Sequence, residues 1–331
     1  KKYQDIYPLN FYGSGWEKQW EEWKSVILFW VEQGVKIFRV DNPHTKPVQF
    51  WEWMIRDVQR DHPEVIFLSE AFTRPKMMRT LAKAGFTQSY TYFTWRNFKW
   101  EIQDYLTELT AGPMREYYRG NFFVNTPDIN PEFLQKGGRP AFMIRAVLAA
   151  TLSSVYGVYS GFELCEATPV PGKEEYLNSE KYEIRAWDWD RPGNIRDLIT
   201  RLNRIRRENP ALHEYDNLRF HLCDSDQVLF YEKSTADGRN SLFFAVNLDP
   251  FEAHDVTLMF PMDVIGVGEH EAWEAEDLLE GGVHLWHGSH QRVRLEPGSP
   301  ARIWRVLRWE RSEHDFDYFM EPVVVPFPHT R

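Results

Sequence analysis

The sequence predicts an α/β chain that passes into an all-β segment. Three observations carry this. Short apolar, β-branched runs alternate with helical periodicities from Trp16 to Glu208, the alternation that builds a parallel sheet with helices packed against it. After Asn209-Pro210 the helical periods stop, and short strand-like runs separated by turn signals take over. Three strand-like runs of the first part also end at, or just before, an acid: Asp41, Glu70 and Asp128.

The elements follow in order. Trp16, Trp20, Trp23, Ile27, Trp30 and Val31 recur at helical spacing, and Gly34 supplies a stop, so a helix is expected to Gln33. VKIFRVD (35–41) reads as a strand, 47–61 as a helix and VIFLSE (65–70) as a second strand. Further helices are expected over 75–84, 100–109, 140–152 and 195–208. Further strands are expected near 88–92, at FFVN (122–125) and at SSVYGVY (153–159). Five strands cannot close a barrel, so the pattern fits either an open doubly wound sheet or part of a (β/α)8 barrel. Beyond residue 210, LRFHLC, QVLFYEKS, SLFFAVNL, HDVTLMF, RVRLEPG and ARIWRVL read as the strands of an all-β unit ending near Leu307. The charged, then Pro-rich stretch 308–331 reads as a tail or linker.

Composition narrows the function classes. A net charge of −10 argues against a nucleic-acid-binding face, which needs clustered Lys and Arg. Aromatics make up 16% of the 331 residues, an excess that suits stacking on sugar rings but also suits a large core. Cys165 and Cys223 are too few for a disulfide framework and lack zinc-site spacing, which fits a reducing, cytoplasmic setting. The apolar run 141–159 carries Arg145, Ser153 and Ser154 and reads as a buried helix followed by a strand, so no membrane span is expected. The chain opens at Lys1 inside what reads as an ordered segment, and is expected to be a fragment of a longer protein.

An acid after a strand is most often a helix cap or a solvated loop residue. Here three arrive from different strands, and Arg39 lies two residues before Asp41 on the same strand face, where a cation can hold a carboxylate ionised. The spacing GxxxxRVD resembles the strand-4 signature of the α-amylase superfamily. FLSEAF resembles its strand-5 signature, FVNTPDI its strand-7 signature, GVYSGFEL its strand-8 turn and LNRIRRENPAL its last barrel helix. Within the superfamily, RVDNPHTKP, SEAFTRP, NTPDINP, KKYQDIYPLNF and GKEEYLNSEKYE resemble the maltosyltransferases that use maltose 1-phosphate. Two departures point the same way. Thr126-Pro127 stands where most members have Asn-His, and the order Asn42-Pro43-His44 replaces a His four residues past the nucleophile.

The resemblance implies the C-terminal part of a (β/α)8 barrel, about strands 4 to 8, over 1–210. It implies a β-sandwich over 211–307. It further implies a retaining transfer of maltosyl units from maltose 1-phosphate to an α-1,4-glucan, with Asp41 as nucleophile, Glu70 as acid/base and Asp128 as the third carboxylate. Lys1 and Tyr3 would face the donor phosphate, and Arg39, Asn42, Lys181 and Tyr182 would contact substrate. No cofactor or metal is implied, and a homodimer is. The same carboxylates would serve an α-glucan hydrolase or a trehalose-forming mutase, and an inactive glucan-binding protein is a third reading. Trp187, Trp189 and His44 are open between sugar contact and packing, and Phe243, Phe244 and Trp304 are expected in the core.

Overall fold

The computed structural model describes residues 7–307, so the expected tail over 308–331 lies outside the described residues. Helix α1 (Trp16–Glu32) starts from Gly15, which takes the left-handed conformation at φ 79°. Trp20 turns inward and its indole N–H donates to the Phe11 carbonyl at 3.1 Å. Trp23, Val26, Phe29 and Trp30 remain 40–53% exposed.

From there strands and helices alternate: β1 (Ile37–Asp41), α2 (Val48–Asp61), β2 (Ile66–Glu70), α3 (Pro75–Lys83), β3 (Gln88–Tyr90), α4 (Lys99–Thr110), β4 (Gly120–Phe123), α5 (Glu132–Leu152), β5 (Val155–Gly157) and α6 (Arg196–Glu208). All neighbouring pairs are parallel and the sheet order is β1-β2-β3-β4-β5. A doubly wound sheet reverses its order at a switch point, whereas consecutive barrel units step one way, so this is the barrel alternative. β1 and β5 are the two edges of the sheet, and Ile37 on β1 is 58% exposed.

Helix α5 differs from expectation by starting eight residues early. Gly138 breaks it at φ 57° and ψ −158°, and Pro140 then begins a second segment, where a proline lacking an N–H is tolerated. The sequence shows the second segment because its apolar residues are continuous, and residues 141–152 are all buried. The run ends at Ser153, where β5 begins within three residues, so the long apolar stretch is a core helix and a strand. Among the described residues no helix is long and apolar enough to cross a membrane.

The C-terminal part is antiparallel. β6 (Leu218–Phe220), β7 (Val228–Ser234), β8 (Ser241–Asn247), β10 (Ala272–Asp277), β11 (Val283–His287) and β13 (Ala301–Leu307) form one sheet in the order β11-β10-β13-β8-β7-β6. β9 (His254–Met259) and β12 (His290–Leu295) form a second, with the short helix α7 (Met262–Ile265) between β9 and β10. β10 and β11 are absent from the sequence expectation, because acids interrupt AWEAED and VHLWH is mostly exposed.

Every residue of β8 is buried, because both faces of the large sheet are covered. One face carries Phe230, Phe243 and Trp304 against Val256, Leu258 and Leu295 of the small sheet. The other carries Tyr231, Phe244 and Ile303 into the core built on α5. The Tyr231 hydroxyl lies 2.5 Å from Thr151 Oγ1 of α5 within that wall.

Phe244 is fully buried at this junction. Phe244→Ala is therefore expected to cost about 3–5 kcal/mol, the range for an aromatic truncated in a packed core. Urea unfolding followed by tryptophan fluorescence should show the midpoint fall accordingly; a loss under about 1 kcal/mol would mean the wall is not tightly shared.

Candidate active site

Strands β1 and β2 run parallel in a register that sets Asp41 directly beside Glu70, both at the C-terminal end of the sheet. The chain leaves β1 through Asn42, which adopts the left-handed conformation at φ 47° that Asn tolerates better than most residues. That turn points the Asn42 backbone N–H at the Glu70 carbonyl (3.0 Å) and at Glu70 Oε2 (3.3 Å). The Asn42 side-chain amide donates to Asp41 Oδ1 at 2.6 Å. One residue thus holds both carboxylates.

Glu70 is 6% exposed, and Asp41 is exposed. Burial pushes the Glu70 carboxyl up to about 7, because the charged form loses its hydration; the Arg39 guanidinium and the Asn42 N–H pull the other way, and the charges of Asp41 and Asp128 add to the rise. Arg39 lies 3.6 Å from Glu70 Oε1. Burial opposes the charge on Arg39, and the attraction of Glu70 and the bond to Tyr90 outweigh it, with Asp41 contributing least. The expected Arg39–Asp41 pairing is therefore corrected: the ion pair forms with Glu70. The register sets Leu68 opposite Arg39 and Glu70 opposite Asp41, so Glu70 lies diagonally across from Arg39, and the long guanidinium side chain reaches over to the buried acid while Asp41 stays exposed.

Arg39 also sits 5.9 Å from the centroid of the Tyr90 ring on β3. Tyr90 stacks on Phe123 of β4 at 4.5 Å, and Phe123 covers Gly157 of β5, where an added Cβ would run into its ring. Arg39, Tyr90 and Phe123 thus form a row that ends on the bare backbone of Gly157.

Asp128 lies five residues past β4 in a tight turn closed by Thr126 and Ile129, which exchange backbone hydrogen bonds at 3.1 and 3.2 Å. Its own N–H donates to Thr126 Oγ1 at 3.2 Å. Lys181, on the long loop after β5, pairs with the Asp128 carboxylate, and that bond raises the Lys181 ammonium to about 12. Tyr182 is 79% exposed, its ring 5.2 Å from Lys181 Nζ. The fold therefore brings Asp41, Glu70, Asp128, Arg39, Asn42, Lys181 and Tyr182 to one end of the sheet. Lys1 and Tyr3 lie outside the described residues.

Trp187 is a packing residue: its indole donates to Glu180 Oε1 at 2.6 Å, Arg185 covers it at 4.1 Å and its ring meets Gly161. Trp189 is 47% exposed. His44 is half-buried in the turn after β1. Phe243, Phe244 and Trp304 are core residues, as expected.

Sequence reasoning missed the groups that fix the loops. Buried Asn125 donates to the Tyr176 hydroxyl at 2.6 Å and accepts from Tyr159 N–H at 2.8 Å, joining the ends of β4 and β5. Glu174 accepts from the Trp95 indole at 2.9 Å and from Glu132 N–H at 3.0 Å. Trp95 in turn meets Phe72 edge-on at 5.3 Å, two residues past Glu70. Fully buried Arg145 has carbonyl partners, Phe93 at 2.5 Å and Arg96 at 2.6 Å, and pins the loop that bears Trp95. The available signal was position: Asn125 directly follows FFV, and Glu174 lies within GKEEYLNSEKYE.

Among the described residues no group of three or more His, Cys, Asp or Glu is arranged to hold a metal ion, and Cys165 and Cys223 are free thiols. What the arrangement offers is an accessible carboxylate beside a carboxyl that can give and take a proton near neutrality.

Comparison with known proteins adds three findings. The family described as "GLGE, C-terminal" matches residues 220–306. An "Alpha-1,4-glucan:maltose-1-phosphate maltosyltransferase" of Myxococcus xanthus is 56% identical over 319 residues, 96% of this chain and 48% of that protein. One of the same name from Pseudomonas aeruginosa is 54% identical over 310 residues, 93% of this chain and 47% of its own length. The chain spans about half the length of the curated relatives it matches. Among solved structures, an α-amylase of Geobacillus thermoleovorans superposes with a TM-score of 0.70 at 14% identity, covering 88% of this chain and 64% of that one. A γ-CGTase of Bacillus clarkii gives 0.68 at 20% identity, covering 92% and 45%. These two likenesses establish the fold.

The raised Glu70 carboxyl carries a stability consequence. Below pH 4.5 the group is protonated whether the chain is folded or not. As pH rises from 4.5 through about 7 the unfolded chain ionises first, so stability is lost over that window. Glu70→Gln cannot ionise and is expected to be the more stable chain at pH 8, by up to about 3 kcal/mol at 1.36 kcal/mol per unit, the gap closing as pH falls to 4.5. Melting temperatures of both forms across pH 4.5–8 check this; parallel profiles would show that Glu70 ionises in the fold as it does in the open chain.

Proposed function

Since the chain belongs by sequence to the maltosyltransferases of the α-amylase superfamily that use maltose 1-phosphate, we propose that the whole protein transfers maltosyl units from that donor to the non-reducing end of α-1,4-glucans and releases phosphate. The observation that carries this reading is the in-register pair at the ends of β1 and β2, an accessible Asp41 beside a Glu70 poised at about pH 7.

A retaining transfer needs two carboxyls that flank the anomeric carbon, and the register delivers Asp41 and Glu70 side by side at the same end of the sheet. Asp41 attacks the anomeric carbon of the donor; the carbon–oxygen bond to phosphate breaks and phosphate leaves with the electron pair. Glu70, ionised for the second half-reaction, takes the proton of the acceptor 4-hydroxyl as that oxygen displaces the Asp41 carboxylate. Arg39 stabilises the ionised Glu70, and the buried site favours the protonated form, so neither state is held too tightly. Asp128 accepts from sugar hydroxyls and gains strength as positive charge develops on the ring. Its partner Lys181, with Tyr182, would face the donor side, and Lys1 and Tyr3 its phosphate. A cytoplasmic homodimer is part of the same proposal.

A hydrolase or trehalose-forming mutase would use the same acids and differ in acceptor. Phosphate release with lengthening of a glucan supports transfer; reducing sugar released from glucan, with no phosphate, sinks it. An inactive glucan-binding protein would release neither.

Two variants of the full-length protein test the roles. Asp41→Ala should lower the rate by several orders of magnitude, since the covalent intermediate forms on that carboxylate; more than about a tenth of the activity remaining would remove Asp41 from the role. Glu70→Ala should slow transfer to glucan more than attack on the donor, because phosphate departs with little help from an acid whereas a hydroxyl acceptor needs a base. A maltosyl adduct should then accumulate on the intact protein in mass spectra. Transfer at the parent rate by Glu70→Ala would refute the assignment.

A further inference from the structure

We propose that the groove between the α/β part and the β part binds an α-glucan chain outside the catalytic centre, with Phe98 and Phe251 as its stacking platforms. The choice of ligand rests on the function proposed above; the site itself rests on geometry. Phe98 precedes α4 and is 62% exposed, and Phe251 follows β8 and is 66% exposed. One ring comes from each part of the chain, and both line a single groove of about 410 Å³, a volume within the range of small-ligand sites.

Both rings belong to a built feature. Gly137 in the first segment of α5 has no side chain, which lets the helix close against the β part: an added Cβ would stand 3.0 Å from Pro250 Cγ. Pro250 directly precedes Phe251, and Arg145 pins the loop that ends at Phe98 through the carbonyl of Arg96 and the Asn97 side chain. Two exposed rings on fixed supports leave apolar faces in water, and the C–H faces of pyranose rings cover such faces while their hydroxyls stay at the edge.

The polar lining selects an uncharged ligand. Lys136 pairs with Glu132, and the Asp249 carboxylate accepts from the backbone N–H groups of Phe251 and Glu252 at 2.8 and 3.3 Å. His254 Nε2 lies 3.3 Å from the second oxygen of Asp249, so the charges in the groove are met internally, and the Gln227 amide remains in the lining for hydroxyl contacts.

The groove is also linked through the chain to the candidate active site. Phe98 lies three residues past Trp95, which meets Phe72 just after Glu70. Helix α5 begins four residues past Asp128, and Glu174 holds Trp95 and Glu132 together. A chain in the groove would lie on the loops that leave the catalytic strands, where a long acceptor could be retained between transfers.

The test is native electrophoresis of the full-length protein through gels containing soluble glycogen. The parent should be retarded, and the double variant Phe98→Ala/Phe251→Ala should bind about ten-fold more weakly, the scale of one to two stacking contacts. Both rings are exposed, so the far-ultraviolet circular dichroism should be unchanged. A parent that is not retarded, or a double variant retarded as strongly as the parent, overturns the proposal. So does a change in sedimentation coefficient with retardation unaltered, which would make the two rings a self-association contact. Phosphate release from maltose 1-phosphate by the full-length protein, measured separately, reports on the catalytic reading; its absence with retardation intact would sink that reading and leave the groove standing.

Discussion

The parallel register of β1 with β2 is the constraint on which the candidate site depends. Pairing of Ile37 with Ile66 runs without a bulge to Asp41 beside Glu70. A shift of one residue would turn one acid to the opposite face of the sheet, because side chains alternate with period two. Asn42 locks the end of this ladder by bonding to the backbone and side chain of Glu70 and to the side chain of Asp41. Rows of aromatic rings then support it from below, through Tyr90, Phe123 and the bare backbone at Gly157.

Electrostatics at this end of the sheet is a contest between solvation and charge. Loss of water around Glu70 raises its carboxyl, and Arg39 with the Asn42 N–H limits the rise to about 7. Asp41, exposed to water, is not subject to the same loss. The register thus sets an accessible carboxylate beside a buried one. Lys181 on Asp128 balances the third acid from a separate loop.

Much of this was legible in the sequence, and the residues show why. VKIFRVD, VIFLSE and FFVN carry strand signals strong enough to place their terminal acids, and apolar periodicity located α1, α2, α3 and α6 within about two residues. What escaped were features set by partners distant in the chain. The partner of Arg39 is an acid on the neighbouring strand, which a single strand does not display. The early start of α5 lies beyond Gly138, whose non-helical conformation separates the first segment from the continuous apolar run. Asn125, Glu174 and Arg145 act through bonds spanning tens of residues. β7 and β8 lack alternation because α5 covers the face that a free sandwich would show to water.

That covering ties the fates of the two parts together. The face of the large sheet bearing Tyr231, Phe244 and Ile303 has no polar version of itself to present to solvent, and α5 has none on its matching side. The C-terminal strands are therefore not a module that can be trimmed, transplanted onto another enzyme or exchanged between relatives at Asn209-Pro210 without also carrying the helix that roofs them. Recombination that respects this structure has to cut upstream of α5, and the natural unit of exchange begins at the turn that bears Asp128.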